Sequence, residues 1–183
     1  MKKITQILSI GVLLLFACTM QLNAQKCKFD YEKKDPLTGN LTRKSTFTII
    51  ATVPFYTIDK PMIWKLYFNR IGDTYFISMF FDLAGNTRDI ITPENTIVFK
   101  LANGKVITLS AKDNYVPSAH IVQDTYVVSL YESQYEISEE DMRILAASPL
   151  VFLRAGIGTR SYDYEFNTKK GTNFQNKANC ILQ

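Results

Sequence analysis

Residues 96–110 read TIVFKLANGKVITLS, and the way this stretch folds back on itself decides the class of the whole chain. Two short β-rich runs flank an Asn103-Gly104 pair, the pattern of a hairpin. A two-residue turn at Asn103-Gly104 would set Phe99 opposite Thr108 and Lys100 opposite Ile107, mixing apolar and polar side chains on both faces. A three-residue loop, Ala102-Asn103-Gly104, sets Phe99 opposite Ile107 and Ile97 opposite Leu109. Val98 then faces Thr108, and Thr96 faces Ser110. One residue of slip moves every side chain to the other face, so the clean division selects the longer loop, with Gly104 in the left-handed region.

Working outward, the same period-2 alternation recurs. Cys27, Phe29 and Tyr31 alternate with Lys28, Asp30 and Glu32, which predicts a first strand over 29–32 with the cysteine on its apolar face. Asp35 to Asn40 is a turn. Thr46 to Val53 reads as a strand, and Pro54 and Pro61 bracket an irregular stretch. Met62, Trp64, Leu66 and Phe68 alternate with Ile63, Lys65, Tyr67 and Asn69. Gly72-Asp73 then turns the chain into Thr74 to Phe81, a second hairpin. Tyr126 to Tyr131 is apolar on both alternations, which predicts a central strand covered on both faces. Leu150 to Leu153 is a short strand, and Tyr162, Tyr164 and Phe166 mark a half-exposed one.

One helix stands out near 139–147. Ser138 is placed as its N-cap, three acids follow in the positive first turn, and Ile137 with Met142 fits a hydrophobic staple. Glu139 and Arg143 are a favourable i,i+4 pair, and Pro149 ends the helix. The tail from Thr172 to Leu182 is ambiguous: Phe174, Ala178 and Ile181 are helically spaced, which would lay it on the core. About nine strands and one short helix predict a mainly β, single-domain, two-layer antiparallel sandwich. The alternative is an α+β fold with the helix packed on one curved antiparallel sheet.

The first residues read as a leader. Lys2 and Lys3 precede an apolar run from Ile7 to Phe16, and Leu22-Asn23-Ala24 fits a cleavage site, so residues 1–24 are expected to be removed before Gln25. A second reading takes Leu15-Phe16-Ala17-Cys18 as a lipoprotein box, with a lipid anchor on Cys18. Either reading places the domain, residues 25–183, in or beyond a bacterial-type cell envelope: secreted, periplasmic or anchored. Loss of Lys2 and Lys3 lowers the formal charge from +4 to +2. With no basic cluster interleaved with aromatics, a nucleic-acid partner is not expected. No later segment is long and apolar enough for a membrane-spanning helix.

Cleavage leaves two cysteines, Cys27 and Cys180, at opposite ends of the mature chain. Export to an oxidising compartment predicts that they are joined.

Catalytic chemistry has little to stand on. His120 is the only histidine, read as a surface or edge residue. Asp30, Glu32, Asp163 and Glu165 are candidates for a paired-carboxylate hydrolase, which needs no local motif, yet each lies on a polar strand face. Asp82, Asn86 and Asp89 share one Gly-containing loop and form a calcium candidate, at a spacing unlike an EF-hand. No cofactor is expected. Aromatics make up 13% of the chain. Tyr115, Tyr126, Tyr131, Tyr135, Tyr162 and Tyr164 either fill a wide β core or present a flat contact surface. The function expected is therefore a non-catalytic exported domain that binds an envelope protein or a glycan. A small secreted hydrolase with paired carboxylates is the first alternative, and an envelope-structural or assembly subunit the second.

Overall fold

The computed structural model describes residues 27–50, 61–122 and 126–183. The leader with its cut, Cys18, the stretch around Pro54, and residues 51–53 of the strand expected over 46–53 lie outside these.

Ten strands and two helices follow one another: β1 Tyr31–Lys34, β2 Leu41–Ile50, β3 Pro61–Ile71, β4 Thr74–Ala84, β5 Thr96–Leu101, β6 Val106–Ser110, β7 Ser118–Val122, β8 Tyr126–Ile137, α1 Glu139–Ala147, β9 Leu150–Ile157, β10 Arg160–Glu165 and α2 Thr168–Leu182. They form two antiparallel sheets, one of six strands in the order β1-β2-β3-β4-β8-β7 and one of four in the order β10-β9-β5-β6. The two-sheet arrangement expected from the alternation is present. The six-stranded sheet is strongly curled, a feature of the α+β alternative, and both helices pack on the core.

The hairpin over 96–110 adopts the register of the three-residue loop. Ile97 pairs with Leu109, Val98 with Thr108 and Phe99 with Ile107. Leu101 N–H donates to the Lys105 carbonyl at 2.9 Å, and Gly104 takes φ +84°. Ile97, Phe99 and Leu101 are buried while Lys100 is exposed, so burial of the apolar row set the register. The β3–β4 hairpin closes through Gly72-Asp73, with Gly72 at φ +58°.

Helix α1 is capped as expected: Ser138 Oγ accepts from Asp141 N–H at 3.0 Å, and Ile137 and Met142 are both buried. Arg143 Nε donates to Glu139 Oε1 at 3.1 Å.

Several expectations need correction. The ten strands among the described residues agree with the nine or so expected, but their bounds differ. The first begins at Tyr31, and Tyr31 itself is exposed: β1 is an edge strand that covers little of the core. The strand from Leu150 runs on to Ile157, because pairing with both β5 and β10 satisfies its backbone past Leu153. β8 is an interior strand but is not covered on both faces, since Val127 is exposed. It lies between β4 and the edge strand β7, and Glu132, Gln134 and Glu136 along it are exposed. Among the described residues there are two helices rather than one. The tail is α2, started by Asn167, whose Oδ1 accepts from Lys170 N–H at 2.9 Å. The cap lies five residues before Thr172, so the spacing of Phe174, Ala178 and Ile181 carried the helical signal without its start.

One core cluster draws on both sheets and both helices. Phe174 of α2 is its hub: its ring centroid stands 5.3 Å from Phe47 of β2, 5.0 Å from Phe68 of β3 and 5.6 Å from Phe99 of β5. The helix thus bridges the two sheets. Nearer β10 the sheets touch directly, Phe81 against Tyr162 at 4.9 Å. Cys27 and Cys180 stand at disulfide distance, S–S 2.15 Å and Cα–Cα 5.4 Å, tying the segment before β1 to the last turns of α2. No helix among the described residues is long and apolar enough to cross a membrane.

Candidate functional site

Strand β4 explains how a site forms on the outer face of the six-stranded sheet. Tyr75, Ile77, Met79 and Phe81 point inward and are buried. Strand geometry sends Thr74, Phe76, Ser78 and Phe80 the other way. Phe76 and Phe80 are only half-buried and belong to no core cluster, and the same holds for Tyr67 on β3. Three aromatic rings therefore remain open to solvent at the middle of a sheet.

Cross-strand pairing places polar groups between them. One row runs Thr46, Tyr67, Ser78, Gln134, and the next Thr48, Lys65, Phe80, Glu132. A third aligns Asn69, Phe76 and Glu136. Asn69 is buried on this face and Nδ2 donates to the Tyr67 carbonyl at 2.8 Å and to Ser78 Oγ at 3.1 Å, which holds the hydroxyl in place. Lys44 Nζ lies over the Tyr67 ring, 4.0 Å from its centroid, a contact worth about 0.5–1 kcal/mol at an exposed site. Burial pushes the Tyr67 phenol up, and the negative charges of Glu132 and then Asp30 add to the effect. The phenol stays neutral through physiological pH and keeps its proton to donate.

Two adjoining depressions result. The first, about 360 Å³, includes Ile71, Thr74, Phe76, Lys112 and Glu136. The second, about 350 Å³, includes Lys44, Tyr67, Ser78, Phe80 and Glu132. Gln134 lines both. In the first, Lys112 Nζ and Glu136 Oε1 pair at 2.7 Å. That hydrogen bond, and then the attraction between the two charges, raises the Lys112 pKa.

The acids singled out from the sequence are placed differently. Asp30 Oδ2 accepts from Thr46 N–H at 2.6 Å, and Glu32 pairs with Arg43 at 2.8 Å. Asp163 accepts from Arg154 Nε at 2.7 Å and from Nη2 at 2.6 Å, and this pairing holds its carboxyl below the usual range. Glu165 is exposed at the end of β10. The two pairs sit on different sheets, each beside its own strand partner.

Asp82 is buried in β4, where Oδ1 accepts from Ile63 N–H, whereas Asn86 is exposed. Asp89 Oδ2 accepts from Arg160 Nε at 2.9 Å. Among the described residues no three His, Cys, Asp or Glu side chains gather where they could hold a metal ion. His120 is exposed on the edge strand β7, its Nε2 3.1 Å from Ser118 Oγ.

Most of the tyrosines noted in the sequence face inward: Tyr131, Tyr135 and Tyr162 are buried, and Tyr115 and Tyr164 pack partly on the core. The side chain of Tyr126 lies outside the described set. Besides the exposed Tyr31 of β1 and the half-buried Phe152 of β9, the described aromatics outside the core are Tyr67, Phe76 and Phe80, which share one sheet face. One signal for them was in the sequence: Tyr75 to Phe81 is apolar on both alternations, and such a run needs cover on both faces or leaves one face open. Comparison of the chain with protein-family models, with curated proteins and with solved structures gives no match in any of the three.

Proposed function

We propose that this chain is an exported, non-catalytic binding domain that engages an envelope protein or glycan through the outer face of its six-stranded sheet. One observation carries the reading: Tyr67, Phe76 and Phe80 stand half-exposed on that face and outside the core. Aromatic surface left in contact with water at the middle of a sheet offers contact energy to a ligand. The leader-like residues 2–24 and the Cys27–Cys180 pair support export. Asp30, Glu32 and Asp163 are each held by a neighbouring donor or cation, which leaves the hydrolase alternative less support than the binding reading.

The test is recovery of native protein from cells carrying either the natural chain or Tyr67→Ala/Phe80→Ala. Mature protein beginning at Gln25, with a co-purifying component lost in the double variant, is the expected result. Retention in the cytosol, or an unchanged co-purifying component, would overturn the reading.

A second reading, an assembly subunit of the envelope, rests on β7. It is an edge strand of the six-stranded sheet, and Ile121 on it is 72% exposed. Uncharged, exposed edges recruit further strands. Sedimentation of the natural chain against Ile121→Lys separates the readings, since concentration-dependent association abolished by the lysine favours assembly.

A further inference from the structure

We infer that the outer face of the six-stranded sheet holds two adjoining subsites for one neutral, linear oligosaccharide, with Gln134 as their shared wall. This rests on the reading of that face as the binding surface and names what it binds.

The geometry calls for an extended ligand. Phe76 and Phe80 lie four residues apart on one strand face, about 13 Å at strand rise. Each belongs to a different depression, and the depressions meet at Gln134. Together their volumes fall in the range of a ligand site, about 300–1,000 Å³. A single sugar ring would occupy one of them, whereas an oligomer reaches both.

Charge complementarity selects a neutral chain. The first depression sets Lys112 against Glu136, and the second sets Lys44 against Glu132. In each, one cation is balanced by one carboxylate. A polyanion would meet as much repulsion as attraction, and so would a polycation. Hydroxyl groups match this mixture well: carboxylates accept from them, ammonium groups donate to them, and the Gln134 amide does both.

The backbone argues against a peptide. β3 and β4 are interior strands with neighbours on both sides, so their main-chain groups are spent in the ladder; β8 is paired by β7 only as far as Leu130, and beyond it Lys112 N–H donates to the Gln134 carbonyl at 2.8 Å. An extended peptide gains affinity by adding to a sheet edge, whereas Phe76 and Phe80 lie on β4, one strand in from the edge that β8 presents beyond Leu130. A ligand here is read by side chains alone. Aromatic rings for the C–H face of a pyranose and polar groups for its hydroxyls are the side chains present.

The test is titration of the disulfide-intact mature protein with chitotetraose and maltotetraose, their disaccharides and monosaccharides, followed by amide chemical shifts. A tetragalacturonate serves as the anionic probe. At least one neutral tetrasaccharide is expected to bind ten-fold or more tighter than its monosaccharide, shifting amides in both depressions. Phe76→Ala or Phe80→Ala should bring the tetrasaccharide down to the affinity of the monosaccharide. Gln134→Ala, at an exposed position that folding does not need, should weaken the tetrasaccharide several-fold.

Preference for the anionic probe, affinity independent of chain length, shifts confined to one depression, or no binding by any neutral tetrasaccharide would each overturn the inference. The parent reading is checked apart, by a photo-crosslinking residue at position 80 in native cells. Cross-links to an envelope protein with no glycan binding sink the oligosaccharide and keep the binding face. Glycan shifts located elsewhere on the molecule, with no cross-link through position 80, sink both.

Discussion

The backbone of Gly171 in α2 approaches Leu150 of β9 so closely that a β-carbon on Gly171 would stand 2.1 Å from the Leu150 carbonyl oxygen. Helix propensity alone favours alanine over glycine by about 1 kcal/mol. Here the contact reverses the sign, because the obstacle is backbone and cannot swing aside. Gly171→Ala is expected to destabilise the fold by about 3 kcal/mol or more, the scale of severe overpacking. Urea unfolding of the variant checks it, and unchanged or raised stability would show that helix and strand separate at no cost.

Phe174 stands three residues further along α2, where it meets Phe47, Phe68 and Phe99 at once. Phe174→Ala removes the ring that joins the two sheets through the helix. The expected loss is about 3–5 kcal/mol. Phe80→Ala, on the outer face, deletes the same side chain from a half-exposed site and should cost less than half as much. Equal losses in the two variants would mean that the outer face is core.

Breaking the Cys27–Cys180 pair frees a loop of sequence separation 153. The chain-entropy estimate for so long a loop is roughly 5 kcal/mol, an upper figure. Cys27→Ser/Cys180→Ser should lower the unfolding midpoint, and the natural chain should resist alkylation until reduced. Labelling of both thiols in unreduced, folded protein would refute the pairing.

Burial pushes the Tyr135 phenol up to about 12 against an ordinary 10. The folded state then keeps a proton that the unfolded chain has released. Stability from this group is whole below pH 10 and is lost as the pH rises toward 12. The loss amounts to about 1.4 kcal/mol per pH unit across that window. Tyr135→Phe should flatten the alkaline limb of the stability curve between pH 10 and 12. The limb would keep its slope if other groups dominated.

Ser138→Ala removes the side chain that accepts from Asp141 N–H at the start of α1 and should cost about 1 kcal/mol. Glu139→Ala breaks only the exposed pair with Arg143 and should cost about 0.5 kcal/mol or less. Thermal unfolding of both resolves the order, and a larger loss from Glu139→Ala would contradict it.

Local rules reached far in this chain. They set the register at Phe99 and Ile107, the turn at Gly104, the cap at Ser138 and the pairing of two distant cysteines, because each depends on neighbours a few residues apart or on simple arithmetic. They reached α2 only in part, since its start lies at Asn167, apart from its apolar stripe. They did not reach the candidate site. Tyr67, Phe76 and Phe80 come from two strands, and their polar companions Glu132 and Gln134 come from a third, more than fifty residues onward.

Alternation determined which residues of each strand share a face, and so a mainly β, antiparallel fold, with two sheets or one curved sheet left open. It could not decide which faces are covered. Tyr75 to Phe81 is largely apolar on both alternations, yet among the described residues only the side of Ile77 belongs to the core. That choice belongs to tertiary packing: among the described residues, one helix bridges the sheets through Phe174, and no helix lies over Phe80. Burial is a property of what arrives from elsewhere in the chain, and a strand's own sequence carries no record of it.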